Sequence, residues 1–132
     1  MIQARVLLAG KGTGPLLRLG EPLSFWGGVD PATGLITDPR HPGHGRSIAG
    51  TVLALAATRG SSSSSAVLLE LIRGGRAPAA IILGQVDAIL ALGVVVAREM
   101  GWASPPVLEL APEMQAALPE GQRRVNPDGS IA

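Results

Sequence analysis

The chain has 132 residues, the usual size of one domain, with 46% apolar and 16% charged residues, which supplies a core and argues against disorder. Formal net charge is only +1, and Lys11 and the arginines are scattered, so neither the basic stripe nor the stacking aromatics of a nucleic-acid surface are present. No cysteine occurs, which excludes a disulfide framework and a thiolate-bound metal or iron–sulfur cluster held by this chain.

In chain order, "IQARVLLAG", "GPLLRL" and "SIAGTVLALAA" are apolar, rich in β-branched residues in part, and bounded by glycine or proline; each reads as a strand. The N-terminal run lacks a basic lead-in and a small-residue cleavage pattern, so it reads as a strand rather than a signal peptide. Between the second and third strands lies "GEPLSFWGGVDPATGLITDPRHPGHGRS", an irregular segment of a length that is uncommon in a small domain unless it is functional. Aromatic residues are limited to Phe25, Trp26 and Trp102, so the core must be aliphatic.

The second half alternates differently. Val67, Leu68, Leu71 and Ile72 recur with helical spacing and end at a glycine pair, which predicts a helix. "AAIILG" reads as a buried strand, and "DAILALGVVVAREM" as a second helix with Asp87 at its N-cap and Gly101 just past its end. The apolar stretch Ala88 to Ala97 is about half of what a membrane span requires. "PPVLEL" follows as a strand, "APEMQAAL" as a short helix, and "RRVNPDGSIA" as a hairpin turning at Asp128-Gly129. The pattern predicts one α/β domain over residues 1–132 with some parallel pairing, soluble and cytoplasmic, with neither nucleic acid nor a membrane as partner.

Five consecutive serines, Ser61 to Ser65, stand in "TRGSSSSSAVLLELIRGG". A serine run ordinarily marks a flexible linker. Here it falls between a strand and a helix, so it reads as a strand-to-helix turn, with Ser61 or a neighbour capping the helix. Such a turn is also an anion site in principle, because free N–H groups and the helix dipole converge there and Arg59 stands beside them. A plain helix cap is the simpler reading. No P-loop lysine, GxGxxG fingerprint or GxSxG elbow is present. Phe25 and Trp26 read equally well as core anchors or as part of a functional loop, and Asp30-Pro31 as the start of a turn. His41 and His44 are separated by proline and glycine, which forbids a helical ligand face and leaves them as surface-loop histidines.

The segments "PLSFWGGVDPATGLITDPRHPGHGRSIAG", "RGSSSSSAVLLELI" and "APAAIIL" together resemble the small, swivelling subunit of the aconitase X family, over roughly residues 4 to 110. Residues 111–132 read as a terminal structural element. The resemblance implies a β/β/α fold, a barrel-like sheet core with flanking helices. It implies a hydro-lyase active only with a large catalytic subunit, which would carry the iron or iron–sulfur centre; this chain would hold neither cofactor nor metal. It implies a small hydroxy-acid substrate, either cis-3-hydroxy-L-proline, dehydrated to pyrroline-2-carboxylate, or mevalonate 5-phosphate. The serine turn looks more like that of the bacterial hydroxyproline type.

In the superfamily a Gly-x-Gly-Ser-Ser type turn carries the serine that removes the substrate proton, which points to Ser61 as base. Here Thr58-Arg59-Gly60 stands in place of Gly-x-Gly, and further serines follow the first pair where an arginine would stand. Ser62 is therefore the alternative base, and the carboxylate clamp differs. On the same resemblance Arg59, Gly60 and Ser62 would bind substrate, with Phe25, Gly27, Gly28 and Asp30 on the face that closes over it. A reading from another class is a non-catalytic anion-binding or assembly domain that uses the serine turn as its cradle.

Overall fold

The computed structural model describes all 132 residues. Twelve elements follow one another: β1 (Ile2–Gln3), β2 (Arg5–Leu8), β3 (Gly12–Leu19), α1 (Phe25–Gly28), β4 (Val52–Leu55), α2 (Ser64–Arg73), β5 (Ala80–Leu83), α3 (Ala88–Glu99), β6 (Val107–Glu109), α4 (Pro112–Ala116), β7 (Gln122–Val125) and β8 (Ser130–Ile131). The strands form one sheet in the order β1-β8-β7-β3-β4-β5-β6-β2.

Its two edges are one stretch of chain. Ile2 and Gln3 pair with Ile131 and Ser130 on one side, and Arg5 and Val6 pair with Glu109 and Leu108 on the other. Between them the Ala4 N–H donates to the Gly129 carbonyl at 3.0 Å. By changing partner at Ala4 the first strand nearly closes the sheet into a barrel and leaves little open edge. The single strand expected over "IQARVLLAG" is thus two short ones.

β3 also divides its pairing. Gly12 to Pro15 run antiparallel to β7, whereas Leu16 to Leu19 run parallel to β4. β4, β5 and β6 continue parallel. Every residue of β4 and β5 is buried, which is why those segments read as unbroken apolar runs: parallel strands in the middle of such a fold are covered on both faces. Alternate residues face opposite ways. Val52, Ala54, Ala80 and Ile82 point into the barrel with Leu16, Leu108 and Val125. Leu53, Leu55, Ile81 and Leu83 point outward into a larger core with Leu68 and Leu71 of α2 and Leu90 and Val94 of α3. Each fully buried leucine or isoleucine there contributes about 1.5–3 kcal/mol relative to exposure. The architecture is the expected barrel-like sheet with flanking helices.

Gln115 of α4 closes one end of the barrel. It is 2% exposed, and its Nε2 donates to the carbonyls of Leu55 and Leu110, both at 3.0 Å. The tail is integral to the sheet: β7 lies between β3 and β8, and the hairpin turns at Asp128-Gly129, with Gly129 at φ 87°. The strand expected from Ser47 begins only at Val52, since the chain turns first at Gly50, whose φ is 70°.

The long segment after β3 is ordered by its own apolar residues. Leu23, Phe25, Val29, Ile36 and Ile48 are each no more than 2% exposed and join the larger core. Backbone bridges Val29 to Ile36 and Leu35 to Ser47 fold it back on itself.

Candidate active site

The serine run is the turn between β4 and α2. The helix begins at Ser64 with Ser63 at the N-cap, whose side chain makes no capping bond. Ser61 instead organises the turn: its Oγ accepts from the Ser63 N–H at 3.2 Å, and its carbonyl accepts from the Ser64 N–H at 3.1 Å. The side-chain cap expected from Ser61 or a neighbour is not formed: Ser63 holds the N-cap position by its backbone, and Ser61 builds the bend before it. A donor aimed at Ser61 Oγ favours a negative charge there, and so does the start of a ten-residue helix. Ser62 is exposed at the tip of the turn.

Two contacts bring the long segment to this turn. Leu23 and Thr58 form a parallel bridge, and the Arg59 N–H donates to the Leu23 carbonyl at 3.1 Å. α1 packs against α2. From the other side Thr58 Oγ1 donates to Asp87 Oδ2 at 2.5 Å, while Asp87 Oδ1 accepts from Leu90 N at 3.0 Å and caps α3. The turn is therefore held between "PLSFWGG" and the start of α3.

The expected site residues separate once placed. Arg59 and Gly60 are exposed, and a Cβ on Gly60 would enter open space. Gly27, with φ 78°, is also exposed and unobstructed. Phe25 needs correction: at 1% exposure it is a core anchor and offers no surface to a bound molecule, because an aromatic ring next to Leu23 is worth more in the aliphatic core than in water. Its neighbour Trp26 is the exposed member, at 60%. Gly28 is buried, and its carbonyl accepts from Thr37 N at 2.9 Å. Asp30 is a turn former: Oδ1 accepts from Ala32 N at 2.9 Å, and its carbonyl accepts from Gly34 N at 2.8 Å. Asp30 Oδ1 thus shapes the loop, while the residue stays partly exposed.

His41 needs correction as well. It is 7% exposed, its Nδ1 accepts from Gly43 N at 2.9 Å, and its Nε2 lies 3.2 Å from the Glu21 carbonyl. With Nδ1 accepting, Nε2 carries the proton and donates to Glu21. The imidazole thus ties Asp38–Gly43 to Glu21, just past the end of β3. His44 remains exposed.

The result is a cleft of about 420 Å³ beside the serine turn, lined by Glu21, Ser24, Asp38, Arg40, His41 and Arg59 with two prolines and no hydrophobic residue. Sequence spacing singled out only Arg59 of these as a binding residue. The others are far from the serines along the chain and converge through the Leu23–Thr58 bridge and the His41–Glu21 hydrogen bond. The Arg40 N–H donated to Asp38, helped by the guanidinium charge, holds the Asp38 carboxyl below the usual carboxylate range.

The residues present do not fit an iron centre or another metal. Cysteine is absent and no group of three or more His, Asp or Glu side chains could hold an ion. No helix is long and apolar enough to cross a membrane.

The comparisons agree with this geometry. A family model described as the aconitase X swivel domain matches residues 1–131, so the tail is included. The chain is 46% identical, over 97% of its length, to a protein of Pseudomonas aeruginosa named cis-3-hydroxy-L-proline dehydratase, but it spans only 23% of that relative. It is 47% identical to the phosphomevalonate dehydratase small subunit of Methanothermobacter thermautotrophicus over 73% of each chain. The crystal structure of Thermococcus kodakaraensis aconitase X in its holo form superposes with a TM-score of 0.83 at 33% identity, covering 98% of this chain and 93% of that one. A sheet nearly closed into a barrel at Ala4, a serine turn at the head of α2 and a match from end to end have one common explanation: the chain belongs to the aconitase X swivel domain family.

Proposed function

We propose that this chain is the swivelling component of an aconitase-X-type hydro-lyase that dehydrates cis-3-hydroxy-L-proline to pyrroline-2-carboxylate. The observation that carries the reading is the serine turn, fixed at the head of α2 and flanked by an open polar cleft. The 46% identity to the Pseudomonas aeruginosa dehydratase supports the substrate. The remaining length of that relative supports a large catalytic partner, which in this reading carries the iron or iron–sulfur centre.

In this reading Ser61, as its alkoxide, takes the Cα proton and becomes a hydroxyl while hydroxide departs from C3; passing that proton on to the hydroxide releases water and restores the alkoxide. The Cα–H electron pair forms the new double bond. Serine is a poor base at its free pKa and needs activation. The Ser63 N–H and the helix terminus favour the charged oxygen, and closure against the partner would exclude water and strengthen both effects. Arg59, Gly60 and Ser62 line the approach.

The second reading, the small subunit of a mevalonate 5-phosphate dehydratase, is favoured by the 47% identity to the Methanothermobacter subunit, which this chain matches over 73% of each length. The experiment is turnover by the metal-loaded complex of this chain with its large partner, offered each substrate separately, with each component alone as control. Dehydration of cis-3-hydroxy-L-proline alone is the expected result. Dehydration of mevalonate 5-phosphate alone would replace the first reading with the second. Turnover of neither by a stable complex would leave the serine turn as an anion-binding or assembly element. Ser61→Ala should lower kcat by at least ~10²-fold with the complex intact; full turnover would remove Ser61 as the base.

A further inference from the structure

The four charged side chains of the cleft are not equivalent. Asp38 and Arg40 form a loose ion pair: Asp38 Oδ1 accepts from the Arg40 backbone N–H at 3.0 Å and lies 3.7 Å from the guanidinium Nε. As a pair they add no net charge to the cleft. Arg59 and Glu21 make no ion pair and no side-chain hydrogen bond. Their backbones are nevertheless pinned, Arg59 N to the Leu23 carbonyl and the Glu21 carbonyl to His41 Nε2. The cleft therefore presents one cation and one anion without ion-pair partners, on fixed supports and without an apolar wall.

The ligand chemistry that matches one free charge of each sign is a zwitterion. We infer that the cleft selects an α-imino or α-amino acid, with Arg59 holding the carboxylate and Glu21 the ring ammonium. The inference rests on the dehydratase reading and deepens it, since it adds Glu21 as the residue that sets substrate class. In a cyclic imino acid both charged groups sit on Cα, so this pair would orient that carbon; of the lining residues Arg59, two before Ser61, is the one next to the serine run along the chain. A phosphorylated hydroxy acid has no cation to offer Glu21. One of its anions would lie against an uncompensated carboxylate, which is the repulsive half of specificity.

The test is calorimetric binding of two non-reacting ligands to the metal-loaded complex: L-proline, and (S)-tetrahydrofuran-2-carboxylate, in which oxygen replaces the ring nitrogen and no positive charge remains. L-proline should bind at least tenfold tighter. Glu21→Gln should bring that ratio close to one, weakening L-proline and relieving the repulsion felt by the tetrahydrofuran acid, and Arg59→Gln should weaken both ligands. A ratio that survives Glu21→Gln, or binding of neither ligand, overturns the inference. So does a Glu21→Gln change that loosens the complex without altering the ratio, because the cleft would then seat the partner. Turnover is scored separately, so an active imino-acid dehydratase indifferent to Glu21→Gln sinks this inference alone, and absence of dehydration sinks the dehydratase reading.

Discussion

Thr58 Oγ1 donates to one oxygen of the Asp87 carboxylate at 2.5 Å while the other oxygen caps α3 through Leu90 N at 3.0 Å. One carboxylate thus starts a helix and anchors the turn that carries the serines. Asp87→Ala should cost about 1 kcal/mol from the cap, with a further loss from the Thr58 bond, and Asp87→Asn should retain most of the cap. Urea denaturation of both variants checks the ranking. Amide exchange at Ser63 should quicken in Asp87→Ala, and unchanged exchange there would mean that the turn does not depend on Asp87.

Gly93, in the middle of α3, faces the first turn of α2: a Cβ there would lie 2.7 Å from the Ser65 carbonyl oxygen. An alanine would gain about 1 kcal/mol of helix propensity. The contact is with backbone, which cannot rotate away, so the helices must separate. Gly93→Ala should therefore destabilise by about 1–3 kcal/mol net, read as a lower urea midpoint. A stabilised variant would show that the α2–α3 spacing is slack.

Gly60 is the opposite case. Its added Cβ meets nothing within 4 Å and its φ is not left-handed, so Gly60→Ala should leave the thermal midpoint unchanged. If substrate or partner approaches the turn there, the same methyl should lower kcat/KM several-fold in the assembled enzyme. Unaltered kinetics would take Gly60 out of the contact surface.

Asp128 shapes the terminal hairpin: its Oδ1 accepts from the Ser130 hydroxyl at 2.7 Å and the Ser130 N–H at 2.9 Å. The hydroxyl first, and then the amide, hold its carboxyl below the usual range. A depressed carboxyl contributes stability above its unfolded pKa and loses it as pH falls through the folded one. The difference between the parent protein and Asp128→Ala in urea midpoint should therefore be constant near neutrality and shrink below about pH 4. A difference independent of pH would mean that the ionised carboxylate is not what holds the turn.

Local chemistry was legible. Asp87 and Gly101 bracket α3 as helix signals require, Asp128-Gly129 marks the hairpin, and the unbroken apolar runs of β4 and β5 announce strands covered on both faces. The serine turn was legible too, as was its family character, because "PLSFWGGVD" and "RGSSSSS" are contiguous. Less legible was the orientation of adjacent side chains. Phe25 and Trp26 look alike in the sequence, yet one is buried and the other exposed, since Trp26 and Gly27 depart from helical dihedrals within α1.

By itself, then, the sequence determined most of the elements, the aliphatic core and the turn that carries Ser61. These depend on residue type and on spacing within a few positions, where propensity, capping and periodicity act. Tertiary structure alone decided the change of partner at Ala4, the burial of His41 and the meeting of Glu21, Asp38 and Arg40 with Arg59. Those relationships join residues distant along the chain. They exist only once the sheet has closed and Leu23 has paired with Thr58, because hydrogen bonds across such separations have no local signature to read.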